Sequence, residues 1–263
     1  MSNPFQIYFF QREKNLFKNL HDFELKSDEV SLHDLRVELK KMSAIISFLR
    51  TVYPKRNLKK TSQKIKTIFH ETGEIREYQL LQQWLIKNKL LLIDQQYLPQ
   101  YTLKNLTDDF HQHANVTRQI LKELINETGK YVKITHQRLA TKFAAQLHIQ
   151  LTTITSKQLV KDEWHTLRKL IKLWMYAQNW IRNDAKTNVE SGLLYYDKLQ
   201  EAIGYWHDTE VMKETLFRKQ IYLSKDLEVQ KDFAKACTKL NRSIRYREKK
   251  VGQLLIRKET SVS

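Results

Sequence analysis

The segments His33-Asp-Leu-Arg36 and His165-Thr-Leu-Arg168 repeat one pattern on one kind of amphipathic run, and 165 − 33 puts them 132 residues apart, half of a 263-residue chain. Lys40 and Lys172 follow at the same offset, as do Arg50 and Arg182 at the far end of each run. An internal repeat is the first inference, and it restricts the chain to architectures that can be built twice. Leu32, Leu35, Leu39, Met42, Ile46 and Leu49, and then Trp164, Leu167, Ile171, Trp174 and Ile181, recur at the three-and-four spacing of a helix seam. The polar set sits one position later, a turn of about 100° around the helix. His33, Arg36, Lys40 and Arg50 therefore form a cationic stripe beside a buried seam, and His165, Arg168, Lys172 and Arg182 form its counterpart.

Only 5 Gly and 3 Pro occur, so the punctuation that many short strands need is missing and an all-α fold follows. Periodicity and breaks predict about ten helices, five in each half. The first half runs through 4–24, 30–53, 57–71, 74–91 and 97–127, the second through 130–153, 157–182, 190–204, 206–223 and 228–258. Gly129 divides the chain into an N-terminal half, 1–128, and a C-terminal half, 129–263, which together make one domain. Ser31 is the expected N-cap of the second helix, with Asp34 three residues on. Tyr53-Pro54 ends that helix, because the residue before proline disfavours the α region. A second correspondence, Gly73 to Glu77 against Gly204 to Asp208, places a glycine and then a cation, Arg76 or His207, before an acid. Each glycine is expected to end one helix and each acid to begin the next.

The charge states what kind of partner such a chain takes. Against 29 Asp+Glu stand 46 Lys+Arg, a formal net charge of +17, which raises the local concentration of any anion where it is focused. The single cysteine, Cys237, excludes an intrachain disulfide and agrees with a reducing, cytoplasmic setting. No apolar run of about 18 residues offers a membrane span, and no membrane partner is expected. Trp164, Trp174, Trp180 and Trp206 are expected in the core rather than as base-stacking platforms. Metal catalysis has little support. His111 and His113 lie about 200° apart on a helix, Asp108-Asp109 stands alone, and no His-Glu-x-x-His or Gly-rich phosphate loop occurs. No cofactor is expected.

The paired His-x-x-Arg helices resemble the conserved histidine α-helical domain, CHAD, over nearly the whole chain. Leu32 to Val37 followed by Lys40 and Lys41 matches the family's helix opening closely, and Trp164 to Arg168 followed by Lys172 matches it less fully. The glycine motifs at Gly73 and Gly204 resemble the family's later Gly-x-x-Arg/His-Asp element. Ser43 and Met175 stand where the family has arginines, Leu173 replaces a basic residue, and Glu77 replaces aspartate. The resemblance implies two pseudo-symmetric helical-bundle halves around a basic central cleft or pore, able to bind inorganic polyphosphate; the missing metal and phosphate-loop motifs add the expectation of a non-enzymatic protein, in the cytoplasm and at polyphosphate granules. Its implied site is His33, Arg36, Lys40, Lys41, Arg50, Arg76, His165, Arg168, Lys172, Arg182 and His207. Lys239 and Arg242, from the basic stripe on the last helix, join that set. The alternatives are a basic helical nucleic-acid-binding protein and, behind it, a metal-dependent phosphohydrolase. Oligomeric state is not legible in the sequence.

Overall fold

The computed structural model describes residues 2–56, 58–93, 100–181, 191–218 and 224–257. Among these, every regular element is helical: α1 (Pro4–Lys26), α2 (Glu29–Val52), α3 (Leu58–Lys87), α4 (Gln100–Gln112), α5 (Ala114–Ile134), α6 (Gln137–Thr155), a short 3-10 turn (Lys161–Glu163), α7 (Trp164–Ile181), α8 (Ser191–Arg218) and α9 (Leu227–Arg257). The all-α expectation holds, and no described helix is long and apolar enough to cross a membrane.

Two compact units make up the chain. One consists of Met1–Arg76, Leu106–Ile149 and Leu173–Thr187, the other of Glu77–Asn105, Gln150–Lys172 and Asn188–Ser263. Each unit draws on both halves of the sequence, and α3, α4, α6 and α7 contribute residues to both.

In the first unit, α1 starts on a capping box. The Asn3 side chain accepts from the Gln6 N–H, and the Gln6 side chain accepts from the Asn3 N–H, each at 3.0 Å, with Pro4 at the first helical position. The cap also holds α1 to its neighbours. Asn3 Nδ2 donates to Thr135 O, and Gln137 accepts from the Phe5 N–H while donating to Trp180 O, all at 3.0 Å. Behind these bonds Phe5, Phe48, Phe143 and Trp180 meet with ring centroids 5.0–6.1 Å apart, the stacked pair being Phe143 and Trp180. The α2 seam Leu32, Leu35, Leu39, Met42, Ile46 and Leu49 is buried throughout, as its periodicity predicts. In the second unit the core joins Leu81 and Leu85 of α3 to Met212 and Leu216 of α8 and to Val229, Ala236 and Leu240 of α9. Trp164 and Trp206 pack edge to face at 5.2 Å.

Several boundaries differ from the sequence reading. The N-cap of α2 is Asp28, whose side chain accepts from the Ser31 N–H at 2.7 Å, so Ser31 is inside the helix. Residues 97–127 do not form one helix: α4 and α5 divide at His113, whose Nδ1 lies 2.8 Å from Asp109 O. Gly129 lies within α5 against the Phe9 ring rather than at a break. Gly73 and Gly204 end nothing either, since α3 and α8 run through them. Among the described residues no glycine takes a positive φ, whereas Ser27 (φ 52°) and Lys89 (φ 57°) do.

Removing Trp180 tests the aromatic core of the first unit. Trp180→Ala is expected to cost about 3–5 kcal/mol, read by urea denaturation, because the fully buried indole leaves a large cavity among three other rings.

Candidate functional site

The first cationic cluster lies in the first unit, where α2 crosses α3. Arg36 does not point into water. Its Nη1 donates to Phe69 O at 2.8 Å and to Thr72 Oγ1 at 3.1 Å, and the guanidinium lies 4.1 Å from the centroid of the Phe69 ring. Phe69 O is the carbonyl four residues before Gly73, the one an α-helix pairs with the Gly73 N–H, and the second lone pair takes the arginine. The glycine makes this approach possible. A β-carbon at position 73 would stand 3.2 Å from Arg36 Nη1. Beside this lock stand the exposed His33 and Lys40, whose Nζ lies 5.5 Å from the Phe69 ring centroid, and the half-buried Arg76, which is ion-paired with Glu29. The His33 pKa is below the ordinary histidine value, first through burial and then through the charge of Arg76 and Lys40, with Asp34 and Glu29 opposing.

The second cluster lies in the second unit, where α7 meets α8, and is built on the same contact. Arg168 Nε donates to Gln200 O at 3.3 Å, again the carbonyl four residues before a glycine. A β-carbon on Gly204 would lie 2.9 Å from Arg168 Nη2 and 3.0 Å from its Nε. No hydroxyl stands at Ile203 where Thr72 stands in the first lock, so the second guanidinium lacks that bond. His165 packs on His207, ring centroids 4.5 Å apart. Its pKa is pushed down to about 4 by burial first, then by Lys169, His207 and Arg168. His207 is also lowered, again chiefly by burial, with Asp208 and Glu214 opposing the effect of Arg168 and Lys169. Both clusters lower the pKa of their histidines, so these rings carry less charge near neutral pH than free imidazoles do.

The remaining sequence candidates go elsewhere. Lys41 turns away onto Glu38 at 2.7 Å, and Glu38, only 4% exposed, is shared with Arg12 at 3.0 Å. Arg50 is exposed in the last turn of α2, about 25 Å along the axis from His33. Lys172 is half-buried on α7, and Arg182 lies outside the described residues. Lys239 and Arg242 are exposed on α9, where Lys239 Nζ reaches Asn88 O and Oδ1 at 3.3 Å. Lys169 is the residue that sequence reasoning missed. Its partner position in the first half is Val37, so the repeat gives no hint of it, yet it stands one helical turn after His165 and acts on both histidines. Among the described residues no three His, Cys, Asp or Glu gather in a metal-binding group.

Two measurements check this geometry. Gly204→Ala forces Arg168 off Gln200 O. The loss of a charged hydrogen bond, about 1.5–3 kcal/mol, outweighs the helix-propensity gain of about 1 kcal/mol, so a net destabilisation near 1 kcal/mol is expected in thermal melts. An NMR titration should follow His165 through a midpoint near pH 4, and Lys169→Ala should raise it. Because the unfolded histidine takes its proton near pH 6.5 and the folded one only near pH 4, His165 makes stability fall as pH drops between those values.

Comparisons with known proteins place the chain by family and by fold. The CHAD domain profile matches residues 15–216. Among solved structures the chain is similar to PptA from Streptomyces chartreusis, with a TM-score of 0.62 over 95% of this chain and 97% of that one. At 12% identity that likeness is one of fold. No curated protein matches the chain by sequence. A profile match across 202 of 263 residues (216 − 15 + 1), enclosing both His-x-x-Arg helices and both arginine-glycine contacts, shows that the chain belongs to the CHAD domain family.

Proposed function

We propose that the protein binds inorganic polyphosphate without turning it over, through two cationic clusters: His33, Lys40 and Arg76 around the Arg36 lock, and His165, Lys169, Lys172 and His207 around the Arg168 lock. The observation that carries this reading is the field at the histidines. Burial is the larger cause of the lowered His33 and His165 pKa values, and beside it Arg76 and Lys40 at His33, and Lys169 and Arg168 at His165, add a cationic repulsion against one more proton. A dense anion relieves that repulsion, and lysine and histidine donors make charge-assisted hydrogen bonds to its oxygens. The family's association with polyphosphate and the doubling of the arginine-glycine contact support the same reading. Doubling matters because a chain long enough to reach both clusters is held at the second by its attachment to the first.

Nucleic acid is the second choice as a polyanion, and neither a membrane nor a cofactor is invoked. Within this reading Arg36 and Arg168 hold helices while the lysines, the histidines and Arg76 meet the ligand. Lys41 and Arg50 are therefore left out of the site. Lys239 and Arg242 belong to a different surface.

Calorimetric titration with long-chain polyphosphate tests the proposal. Lys40→Ala, and Lys169→Ala with Lys172→Ala, should each weaken binding about tenfold or more, about 1.4 kcal/mol, with melts close to the parent protein. Arg36→Ala should lose stability as well, since it empties a lock. Affinity should rise as pH falls, because the bound anion raises histidine pKa values that start low and binding then takes up protons. For His165 the gain continues down to about pH 4. Short polyphosphate should bind more weakly than long at equal phosphate concentration. Parent affinity in both lysine variants sinks the proposal, and phosphate release with Mg²⁺ or Mn²⁺ that is lost on substituting His165 sinks its non-catalytic part.

A further inference from the structure

The last helix of the second unit carries a cationic array whose chemistry differs from that of the histidine clusters. From Lys239 to Lys250, α9 holds Lys239, Arg242, Arg245, Arg247, Lys249 and Lys250 against one acid, Glu248. Ala236, Leu240, Ile244 and Val251 bury one side of the helix. At about 100° per residue, Lys235, Lys239, Arg242, Tyr246, Lys249 and Lys250 share the opposite side within an arc of about 100°.

The acids divide this face into two parts. Lys231 is paired with Glu228 at 2.6 Å and Lys235 with Asp232 at 2.9 Å, so the first turns are neutralised. Glu248 does not serve the later cations, because it is engaged with Lys161. Among the described residues, Lys239, Arg242, Arg245, Lys249 and Lys250 are exposed and none pairs with a carboxylate. A run of cations is ordinarily a solvated face. What sets this one apart is Tyr246 at its centre, 71% exposed, within one helical turn of Arg242 and Lys249. Beside it the Arg247 guanidinium lies 5.2 Å from the centroid of the Tyr205 ring, itself largely exposed.

An inorganic polyanion uses the charges of such a face and leaves the aromatic ring idle. A single-stranded nucleic acid uses both, since its phosphates meet the cations while an unstacked base lies on the phenol ring. A duplex keeps its bases enclosed. The geometry points to a surface on α9 that binds single-stranded nucleic acid, with Lys239, Arg242, Lys249 and Lys250 on the phosphates and Tyr246 as the stacking platform. It is independent of the histidine clusters. The charged span from Lys239 to Lys250 is about 16 Å, room for a few nucleotides.

Fluorescence anisotropy of a labelled 20-nucleotide oligothymidine with the full chain tests this surface. Tyr246→Ala should weaken binding about 5- to 160-fold, the range that loss of one stacked base produces at about 1–3 kcal/mol, while Tyr246→Phe retains it. Arg242→Ala with Lys249→Ala should flatten the slope of log affinity against log salt by about 1.4, about 0.7 for each phosphate contact on a single strand. Polyphosphate titrations of Tyr246→Ala should match the parent protein, and circular dichroism should show the fold intact, as removal of an exposed ring requires. Unchanged oligonucleotide affinity in Tyr246→Ala overturns the assignment, as does an equal loss of polyphosphate binding in that variant. So does a Tyr246-dependent attachment to acidic phospholipid vesicles in place of the oligonucleotide.

Discussion

Everything about both clusters depends on a guanidinium lying against the backbone of a helix in its middle. Two helices packed through their side chains keep their axes about 8–10 Å apart, and a mid-helix carbonyl is screened by the β-carbons around it. Arg36 and Arg168 come as close as they do to such carbonyls because Gly73 and Gly204 present none. A glycine inside a helix costs about 1 kcal/mol relative to alanine, and a hydrogen bond from a charged donor returns about 1.5–3 kcal/mol. The contact therefore carries itself, and it fixes α2 on α3 in one unit and α7 on α8 in the other. His33 and His165 each stand three residues before the locked arginine on the same helix face, so the orientation of each histidine follows from the lock.

This explains which parts of the chain were legible and which were not. The seams of α2 and α7 were readable because helical periodicity and burial are the same fact seen twice, and the tryptophans on the seam lie in the core as expected. The glycines were misread for a physical reason. In a sequence a glycine before a charged residue has the same appearance whether it ends a helix or makes space for a neighbour, and only the position of a distant arginine decides. The locked arginines were read as outward ligands, because periodicity places a residue on a face and is silent about where a long side chain ends. Glu38 was invisible for a related reason: a carboxylate on the seam of α2 is tolerable only with Arg12 and Lys41 beside it, and Arg12 comes from another helix. Lys169 escaped because comparing the halves weights what they share, and position 37 is valine.

The charge balance has a similar two-level structure. A net charge of +17 announces an anionic partner, but much of it is spent locally. Lys64 pairs with Glu123, Lys130 with Glu127, the half-buried Arg118 with Glu24 and Lys161 with two carboxylates, and the exposed pairs among these contribute little to stability. What they do is remove attraction for anions from most of the surface. A positive surplus survives where cations outnumber the acids beside them: along the second half of α9, where among the described residues five exposed cations pair with no carboxylate, and in smaller measure at the histidine groups, where Asp34, Glu29, Asp208 and Glu214 oppose the cations. It is the distribution of the 29 acids rather than the abundance of the 46 bases that marks these places.

The division between arginine and lysine then carries a consequence for selectivity. A guanidinium is planar, holds its donors in a fixed fork and suits a target whose geometry is known in advance, which a helix carbonyl beside a glycine is. An ammonium is a compact charge on a flexible stem with donors that rotate, and it suits a target whose register varies. Arginine on the invariant partner supplies rigidity, while Lys40 and Lys169, exposed beside the locks, keep their mobility. A polyanion with identical repeating units has no unique register to recognise, so movable point charges lose nothing by their mobility. An array of forked arginines would discriminate among phosphate orientations that such a chain presents equally. The same reasoning separates α9, where arginines stand exposed next to a tyrosine: there the planar groups face outward, and a ligand with planar groups of its own has the most to gain.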